Sequence, residues 1–372
     1  MPLEKISNLP RAVTLQLTEA CNLRCKMCYY WGETGCYAKV EAGRKPETLD
    51  FELLKEVIEY LSPVKPFYSL FGGEPLLYPQ LEELILKVKG LGSVIDTPTN
   101  GTMLTEHTAM LVRTGFDSVR ISIDGPREVN DAQRGKGSYD KAMAGIETLY
   151  HEKLRVGKRT PFIDVIYTIT PTNYLSIEQF FLEELNLSAI DRVSIQMVNF
   201  LTAEMGESYS QFLKSEFDLT SERYWRGLLR SPDDFKGMDV NELATQVKKV
   251  RKRLSALGKS ILLLPPTFSR ENLSAYLKVD WKSMTDQYRS CLVPWFGVDI
   301  TATGDLAPCH VYYDLVIGNL YEQSFEEIWN GDKYQRFREY MLQNKFMSIC
   351  PGCCILYLAG KKKRKRDIKT KI

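Results

Sequence analysis

The chain has 372 residues, with 49 Lys and Arg against 47 Asp and Glu, and a formal net charge of +2. This balance excludes a protein that as a whole coats nucleic acid or an anionic membrane. Hydrophobic residues make up 44% and charged residues 26%, which excludes global disorder and fibrous repeats. The sequence shows no signal peptide and no apolar stretch long enough for a transmembrane segment, so we expect a cytoplasmic protein. From the charge balance we expect no nucleic-acid partner.

From residue 12 to about residue 200, short β-branched segments alternate with amphipathic stretches whose apolar residues recur every three or four positions. This alternation predicts parallel βα units, and six strands are enough for an open barrel. The predicted strands are Val13–Leu17, Phe67–Phe71, Val94–Thr97, Val119–Ile123, Asp164–Ile169 and Val193–Val198. The predicted helices are Glu52–Leu61, Gln80–Val88, Glu106–Thr114, Tyr139–Tyr150 and Ile177–Leu185.

The predicted fold is therefore α/β: a partial (β/α)6 TIM-like barrel, then a helical segment and a small cluster-binding C-terminal module. Residues 1–200 form the barrel, and residues 201–290, rich in Glu, Lys and Arg, form a helical bridge or an insert that caps the barrel mouth. Residues 291–360 carry five cysteines and form the metal-dependent module. Residues 361–372 begin with six basic residues and form a solvated tail, with a weak anionic partner as the alternative.

The first cysteine cluster, Cys21, Cys25 and Cys28, has CxxxCxxC spacing directly after the first predicted strand. Structural zinc sites favour paired CxxC spacings, so this cluster fits zinc poorly, although zinc stays an alternative. Thiolates are soft ligands that suit iron-sulfur clusters. Three thiolates on a cubane leave one iron without a protein ligand, and a substrate or cofactor can bind there. In a barrel of parallel βα units this position belongs to the functional end.

This motif resembles the defining motif of the radical S-adenosylmethionine (SAM) enzymes. The resemblance implies that Cys21, Cys25 and Cys28 hold a [4Fe-4S] cluster whose open iron chelates SAM. It also implies that the reduced cluster cleaves SAM to methionine and a 5′-deoxyadenosyl radical, with electrons from a low-potential donor such as flavodoxin or ferredoxin. Met27 departs from the family, which usually has an aromatic residue before the third cysteine.

The segment Gly72-Gly73-Glu74-Pro75 follows the second predicted strand and matches the GGEP motif of the same family. Two glycines let the backbone come close to a ligand, and the Glu74 carboxylate suits the ammonium group of SAM. A simple turn is the alternative reading. The resemblance favours a SAM-binding role for all four residues.

Polar residues also end the third and fourth predicted strands. By resemblance, Ser122, Asp124 and Asn100 bind the ribose or the carboxylate of SAM, although each also suits a helix cap. Arg134 is similar to a family arginine that meets a carboxylate, with a surface guanidinium as the alternative. Asn173 and the strand end at Gln196–Val198 are candidates for contact with adenine.

The C-terminal cysteines begin with Cys291-x12-Gly304-x4-Cys309, which is similar to the opening of the SPASM and twitch extensions of radical SAM enzymes. Cys350, Cys353 and Cys354 supply further thiols, and a full SPASM domain would continue beyond them. The resemblance implies one auxiliary [4Fe-4S] cluster, held by Cys291, Cys309, Cys350 and Cys353, with Cys354 as the alternative fourth ligand. Structural zinc is a second alternative. Cys36 is predicted to be a free thiol, and His310 lies either beside the cluster or exposed on a hairpin.

The function implied is hydrogen abstraction from a small-molecule or peptide substrate, followed by electron transfer to the auxiliary cluster. The favoured reaction is oxidation of a small polar metabolite, such as a secondary alcohol to a ketone. Modification of a ribosomal peptide by crosslinking or epimerisation is an alternative, weakened because about eleven residues precede the first strand. Tetrapyrrole side-chain decarboxylation and a non-catalytic metal-binding or electron-transfer protein are the others.

Overall fold

The computed structural model describes residues 9–38 and 45–362. Most of the predicted basic tail, residues 363–372, lies outside the described residues. The described strands are β1 Ala12–Thr18, β2 Phe67–Gly72, β3 Val94–Thr99, β4 Ser118–Ser122, β5 Phe162–Ile169, β6 Arg192–Met197, β7 Ser260–Leu264, β8 Tyr288–Cys291, β9 Gly297–Ile300, β10 Asp305–Ala307, β11 Gly318–Asn319 and β12 Gly360–Lys362.

Ten of these strands form one sheet in the order β11-β10-β9-β1-β2-β3-β4-β5-β6-β7. All neighbours from β9 to β7 are parallel, and β10 and β11 are antiparallel additions at one edge. Because β7 and β11 do not pair with each other, the barrel stays open. The predicted α/β fold with a partial barrel is confirmed, and the six predicted strands agree with β1 to β6 within two residues at each end.

Helices follow the strands and cover the outer face of the sheet. In α1, for example, the Asp50 side chain caps the first turn, and Leu54, Val57, Ile58 and Leu61 recur at helical spacing and are buried. The helices are α1 Phe51–Leu61, α2 Leu81–Gly90, α3 Leu104–Thr114, α4 Arg127–Arg134, α5 Ser138–Val156, α6 Ile177–Gln179, α7 Ala203–Phe217, α8 Arg223–Arg226, α9 Val240–Ala256, α10 Arg270–Leu277, α11 Phe325–Asn330, α12 Asp332–Asn344 and α13 Cys354–Ala359.

Residues 201–290 are mostly helical, but they also contain β7, which was not among the predicted strands. β7 pairs in parallel with β6, so that Val193 lies opposite Ile261. Helix α9 makes the crossover connection between these two strands. The segment is therefore partly integrated into the barrel sheet rather than lying entirely outside it.

The C-terminal module also continues the barrel sheet. β9 pairs with β1, and a tight turn through Gly304, whose φ is +78°, leads from β9 to β10. Helices α11 and α12 follow in the sequence, and the Ser324 side chain caps α11. Within residues 9–38 and 45–362, no helix has the length and apolar character that a membrane span requires.

Candidate functional site

The three cysteines of the CxxxCxxC motif lie on the loop after β1, which we call the cysteine loop (residues 21–38). Burial raises the pKa of Cys21 to about 12 and that of Cys25 to about 11, and the neighbouring thiols of the loop add to both rises. The Cys25 thiol donates to the Arg134 carbonyl over 3.8 Å, and the Trp31 amide donates to the Cys28 sulfur over 3.3 Å. The loop thus gathers three partly buried sulfur atoms at one end of the barrel.

The two glycines of GGEP pack against the backbone that leads into the cysteine loop. Gly72 has a φ of +130°, and a Cβ there would lie 2.2 Å from the Thr18 carbonyl oxygen. At Gly73 a Cβ would lie 2.0 Å from the Ala20 oxygen, and the Glu74 amide donates to that same oxygen over 2.8 Å. Larger residues would push this segment away from the loop, so the glycines bring the Glu74 side chain beside the cysteines.

The Glu74 carboxylate is 1% exposed and lies at the ends of β2 and β3. Its Oε1 accepts hydrogen bonds from the Thr99 hydroxyl at 2.7 Å and the Leu76 amide at 3.1 Å, and Oε2 accepts from the Asn100 amide at 2.8 Å. Burial raises the pKa of Glu74, and these hydrogen bonds partly offset that rise. Pro75 begins the short 3₁₀ turn that follows. The carboxylate is therefore held in one orientation.

Asp124 and Arg134 form a buried ion pair, with 2.6 Å between Asp124 Oδ2 and Arg134 Nε. Asp124 also accepts from the Gln133 side chain at 2.8 Å and from the Thr168 amide at 2.8 Å. Arg134 is 8% exposed, which contradicts the alternative of a surface guanidinium, and its charge offsets part of the rise that burial causes in the pKa of Cys25. The carboxylate that Arg134 meets in this structure is Asp124, so Asp124 orients the arginine beside the cysteine loop.

The other predicted strand-end residues have different surroundings. The Asn100 side-chain amide donates to Asn22 of the cysteine loop over 2.8 Å. Ser122 ends β4, and no protein partner of its hydroxyl is found among the described residues, so its role stays a prediction. Asn173 donates to the Asp124 and Thr168 carbonyls and is used within its own loop.

A cavity of about 520 Å³ opens beside the cysteine loop. Lys26 and Met27 of the loop line it together with Gln133, Thr170 and Val198. The Gln133 Oε1 atom accepts from the Thr170 hydroxyl at 2.7 Å, which fixes the polar wall of the cavity. The cavity volume lies in the range of small-molecule sites.

Four C-terminal thiols, those of Cys291, Cys309, Cys350 and Cys353, line a second, small cavity of about 30 Å³. Burial raises the pKa of Cys350 to about 12, and burial together with the neighbouring thiols raises that of Cys309 well above its ordinary value. This is the four-thiol set with Cys353 that the sequence favoured.

His310 also lines this cavity, and its side chain is 15% exposed. Its Nδ1 lies 2.7 Å from Asp299 Oδ2, and that same oxygen accepts from the Tyr313 hydroxyl at 2.9 Å. The alternative of an exposed hairpin histidine is therefore wrong. Its ring also lies 4.7 Å from that of Phe71, next to the GGEP segment.

Two known protein families match separate segments of the chain. The radical SAM superfamily matches residues 15–181, and SPASM, an iron-sulfur cluster-binding domain, matches residues 291–354. The chain belongs to the radical SAM superfamily. It uses a [4Fe-4S] cluster with SAM, and its C-terminal SPASM module holds an auxiliary iron-sulfur cluster.

The donor sets of this radical SAM protein fit such clusters. Among the described residues, no three Cys, His, Asp or Glu side chains converge as ligands of a single ion. A cubane places each thiolate on a different iron, so its ligands stand further apart than those of one ion. Both sets consist of partly or fully buried thiols, which are the soft ligands that iron-sulfur clusters use. Each set lies at a separate place, as two clusters require.

The radical SAM chain is similar to the AdoMet-dependent heme synthase of Oleidesulfovibrio alaskensis, with 26% identity over 94% of this chain and 82% of that protein. It is also similar to mycofactocin maturase MftC of Mycolicibacterium smegmatis, with 34% identity over 39% of this chain and 36% of that protein. Among solved structures, Streptococcus suis SuiB bound to S-adenosylmethionine has a TM-score of 0.61 at 15% identity, covering 90% of this chain and 69% of SuiB. That likeness shows the shared fold.

Sequence reasoning missed several residues that the structure brings to this radical SAM site. Gln133 and Thr170 line the cavity. Thr170 directly follows β5, which was a usable signal, whereas Gln133 lies in α4. Arg230 lines the same cavity from the helical segment, where no motif marks it. Asp314 is buried under that segment and accepts hydrogen bonds from its backbone.

Proposed function

We propose that this chain is a radical SAM oxidoreductase that abstracts a hydrogen atom from its substrate and passes one electron of the resulting radical to the auxiliary cluster. The observation that supports this proposal is a line of ring contacts between the two cysteine sets. The ring centroids of Tyr30 and Phe71 are 6.2 Å apart, and those of Phe71 and His310 are 4.7 Å apart. Tyr30 lies two residues after Cys28, and His310 directly follows Cys309. The auxiliary module thus faces the barrel mouth, where a substrate radical can reach an electron acceptor.

Cys21, Cys25 and Cys28 would hold the cluster. With SAM bound, this cluster would supply a 5′-deoxyadenosyl radical, using one electron from an external donor to break a carbon–sulfur bond of SAM. Transfer of a substrate hydrogen atom to that radical gives 5′-deoxyadenosine and a substrate radical. Loss of one electron and either a proton or carbon dioxide then completes a two-electron oxidation of the substrate. In this proposal, Glu74 binds the SAM ammonium group, and Arg134, oriented by Asp124, provides positive charge beside Cys25.

For the substrate we propose a tetrapyrrole whose side chain loses a carboxylate, because the heme synthase relative is similar over 94% of this chain. Peptide modification is a second candidate, favoured by the 34% identity to a mycofactocin maturase. Oxidation of a small polar metabolite stays a prediction that neither of these two relatives supports. A non-catalytic metal-binding protein would not cleave SAM, and this distinguishes it from the proposed enzyme.

The test is anaerobic reconstitution with iron and sulfide, followed by reduction with dithionite in the presence of SAM. We expect 5′-deoxyadenosine from the wild-type protein and none above background from Cys28→Ala. The matched control is Cys36→Ala, which removes another partly buried thiol of the same loop and keeps the CxxxCxxC motif. Equal deoxyadenosine formation by Cys28→Ala, or none by the wild-type protein, would refute the proposed function.

A further inference from the structure

Arg230 stands where two cavities meet. It lines the 520 Å³ cavity beside the cysteine loop, which we call the inner cavity. It also lines a neighbouring cavity of about 840 Å³, which we call the outer cavity. Asp234 is the other charged residue that lines both. A molecule that enters the outer cavity and reaches toward Lys26 and Met27 of the cysteine loop therefore passes the Arg230 side chain.

The Arg230 guanidinium is only partly used by the protein. Its Nη1 donates to the Thr34 hydroxyl at 3.1 Å and to the Leu229 carbonyl at 2.6 Å. Within the ranges that the structure describes, no carboxylate lies at ion-pair distance from it, and its Nε and Nη2 atoms have no hydrogen-bond acceptor. Burial lowers the pKa of Arg230, the direction expected for a desolvated cation without a close counter-ion.

The surrounding charges restrict what this guanidinium can bind. Asp234 and, to a smaller extent, the Cys28 thiol raise the pKa of Arg230 and so partly offset the effect of burial. The Asp234 Oδ2 atom accepts from the Ser231 amide at 3.0 Å in a capping box. Glu128 lines the inner cavity and Glu204 the outer one. These carboxylates would repel a doubly charged phosphate more strongly than a singly charged carboxylate, and one guanidinium neutralises a single negative charge.

We infer that Arg230 binds a carboxylate group of the substrate through its Nε and Nη2 edge, at the junction of the two cavities. The inference rests on the proposed function, because it takes the inner cavity as the place of radical chemistry. A planar guanidinium holds both carboxylate oxygens in parallel, which fixes orientation as well as position. Arg230 thus anchors the substrate from the helical segment, which carries no cysteine ligand.

The test measures binding of iron coproporphyrin III, a carboxylate-bearing porphyrin, to the reconstituted, SAM-loaded protein by absorbance titration without oxygen. We expect Arg230→Gln to raise the dissociation constant at least about 10-fold, as loss of a charged hydrogen bond does, and Arg230→Lys to give an intermediate value. The methyl ester of the porphyrin should show no difference between wild type and Arg230→Gln. The dissociation constant of SAM should be unchanged.

Two control variants separate ligand binding from structural effects. Thr34→Val removes the loop hydroxyl that Arg230 contacts but keeps the guanidinium, and Arg226→Gln removes an exposed arginine of α8 that pairs with Glu222. Both should bind the porphyrin as the wild type does. Equal binding by Arg230→Gln, or no binding by the wild type, overturns the inference. Deoxyadenosine formation is measured in parallel, so a wild type that cleaves SAM but fails these binding tests leaves the proposed function intact.

Discussion

Cys353 and Cys354 are neighbours in the sequence, but their thiols have different surroundings. Cys353 lines the cavity that also contains the Cys291, Cys309 and Cys350 side chains. The Cys354 thiol instead interacts with the Asn199 side chain, just after β6. Cys354 is also the first residue of α13, so its side chain leaves the loop in another direction. The surroundings favour Cys353 as the fourth ligand of the auxiliary cluster.

We therefore predict that Cys353→Ala loses the auxiliary cluster, whereas Cys354→Ala retains it. The lost thiolate is one of four that a [4Fe-4S] cluster needs, so iron content should fall by up to about four atoms per chain. Cys353→Ala should still cleave SAM but should not complete substrate oxidation. Iron and sulfide analysis with electron paramagnetic resonance checks this, and retention of both clusters in Cys353→Ala with loss in Cys354→Ala would reverse the assignment.

At the residue scale, chemistry and spacing predicted part of the site. The thiols could be predicted because closely spaced soft ligands after a strand are typical of a metal site. The glycines could be predicted because two residues without a Cβ at a strand end indicate a close approach of the backbone. The pairing of Asp124 with Arg134 could not, because it depends on the way α4 folds back onto the loop that follows β4. Arg230 carries no local signal, since a guanidinium in a Lys- and Arg-rich helical segment is common.

At the element scale, residues 221–230 of the helical segment lie directly on the cysteine loop. Helix α8 brings Gly227 so close that a Cβ there would lie 2.2 Å from the Tyr29 carbonyl oxygen. That oxygen already accepts from the Cys36 amide at 2.9 Å. Tyr224 of the same helix contacts the Tyr37 ring at 6.3 Å. The helical segment therefore helps to shape the loop that carries the first three thiols.

We predict that Gly227→Ala displaces this contact and lowers the free energy of unfolding by about 1–3 kcal/mol, the usual cost of overpacking. It should also reduce iron incorporation at the cysteine loop and weaken SAM binding. Gly237→Ala is the matched control, because no atom lies within 4 Å of a Cβ built at Gly237. Urea denaturation and SAM titration check both variants, and identical behaviour of the two would show that the close approach has no consequence.

The same segment shows why part of the fold could not be predicted. Strands β1 to β6 have a clear apolar pattern followed by helices, and the local signal was enough. The run that forms β7 is short and ends at Pro265, and its role depends on pairing with β6. Likewise, β9 pairs with β1 across almost the whole chain, which no local pattern indicates.

At the scale of the whole molecule, Asp314 joins three regions that are distant in the sequence. It belongs to the SPASM module, is 1% exposed, and lies five residues after Cys309. Its carboxylate accepts from the Ser221 hydroxyl at 2.5 Å and from the Tyr224 and Trp225 amides at 3.0 and 2.8 Å. Since α8 in turn contacts the cysteine loop, one buried carboxylate connects the auxiliary module to the SAM site.

We predict that Asp314→Ala lowers the free energy of unfolding by at least about 2 kcal/mol, because it leaves buried donors without an acceptor. The loss should affect both cysteine sites, with weaker SAM binding at the cysteine loop and a less stable auxiliary cluster. Asp314 itself is not a ligand at either site. Glu322→Ala, an exposed carboxylate of the same module, should change the stability by less than about 0.5 kcal/mol. Anaerobic urea denaturation gives the stability, and the two cluster signals followed separately give the range of the effect. If Asp314→Ala destabilised the auxiliary cluster alone, α8 would not transmit the change to the cysteine loop. The stability of one cysteine site would then not depend on the other.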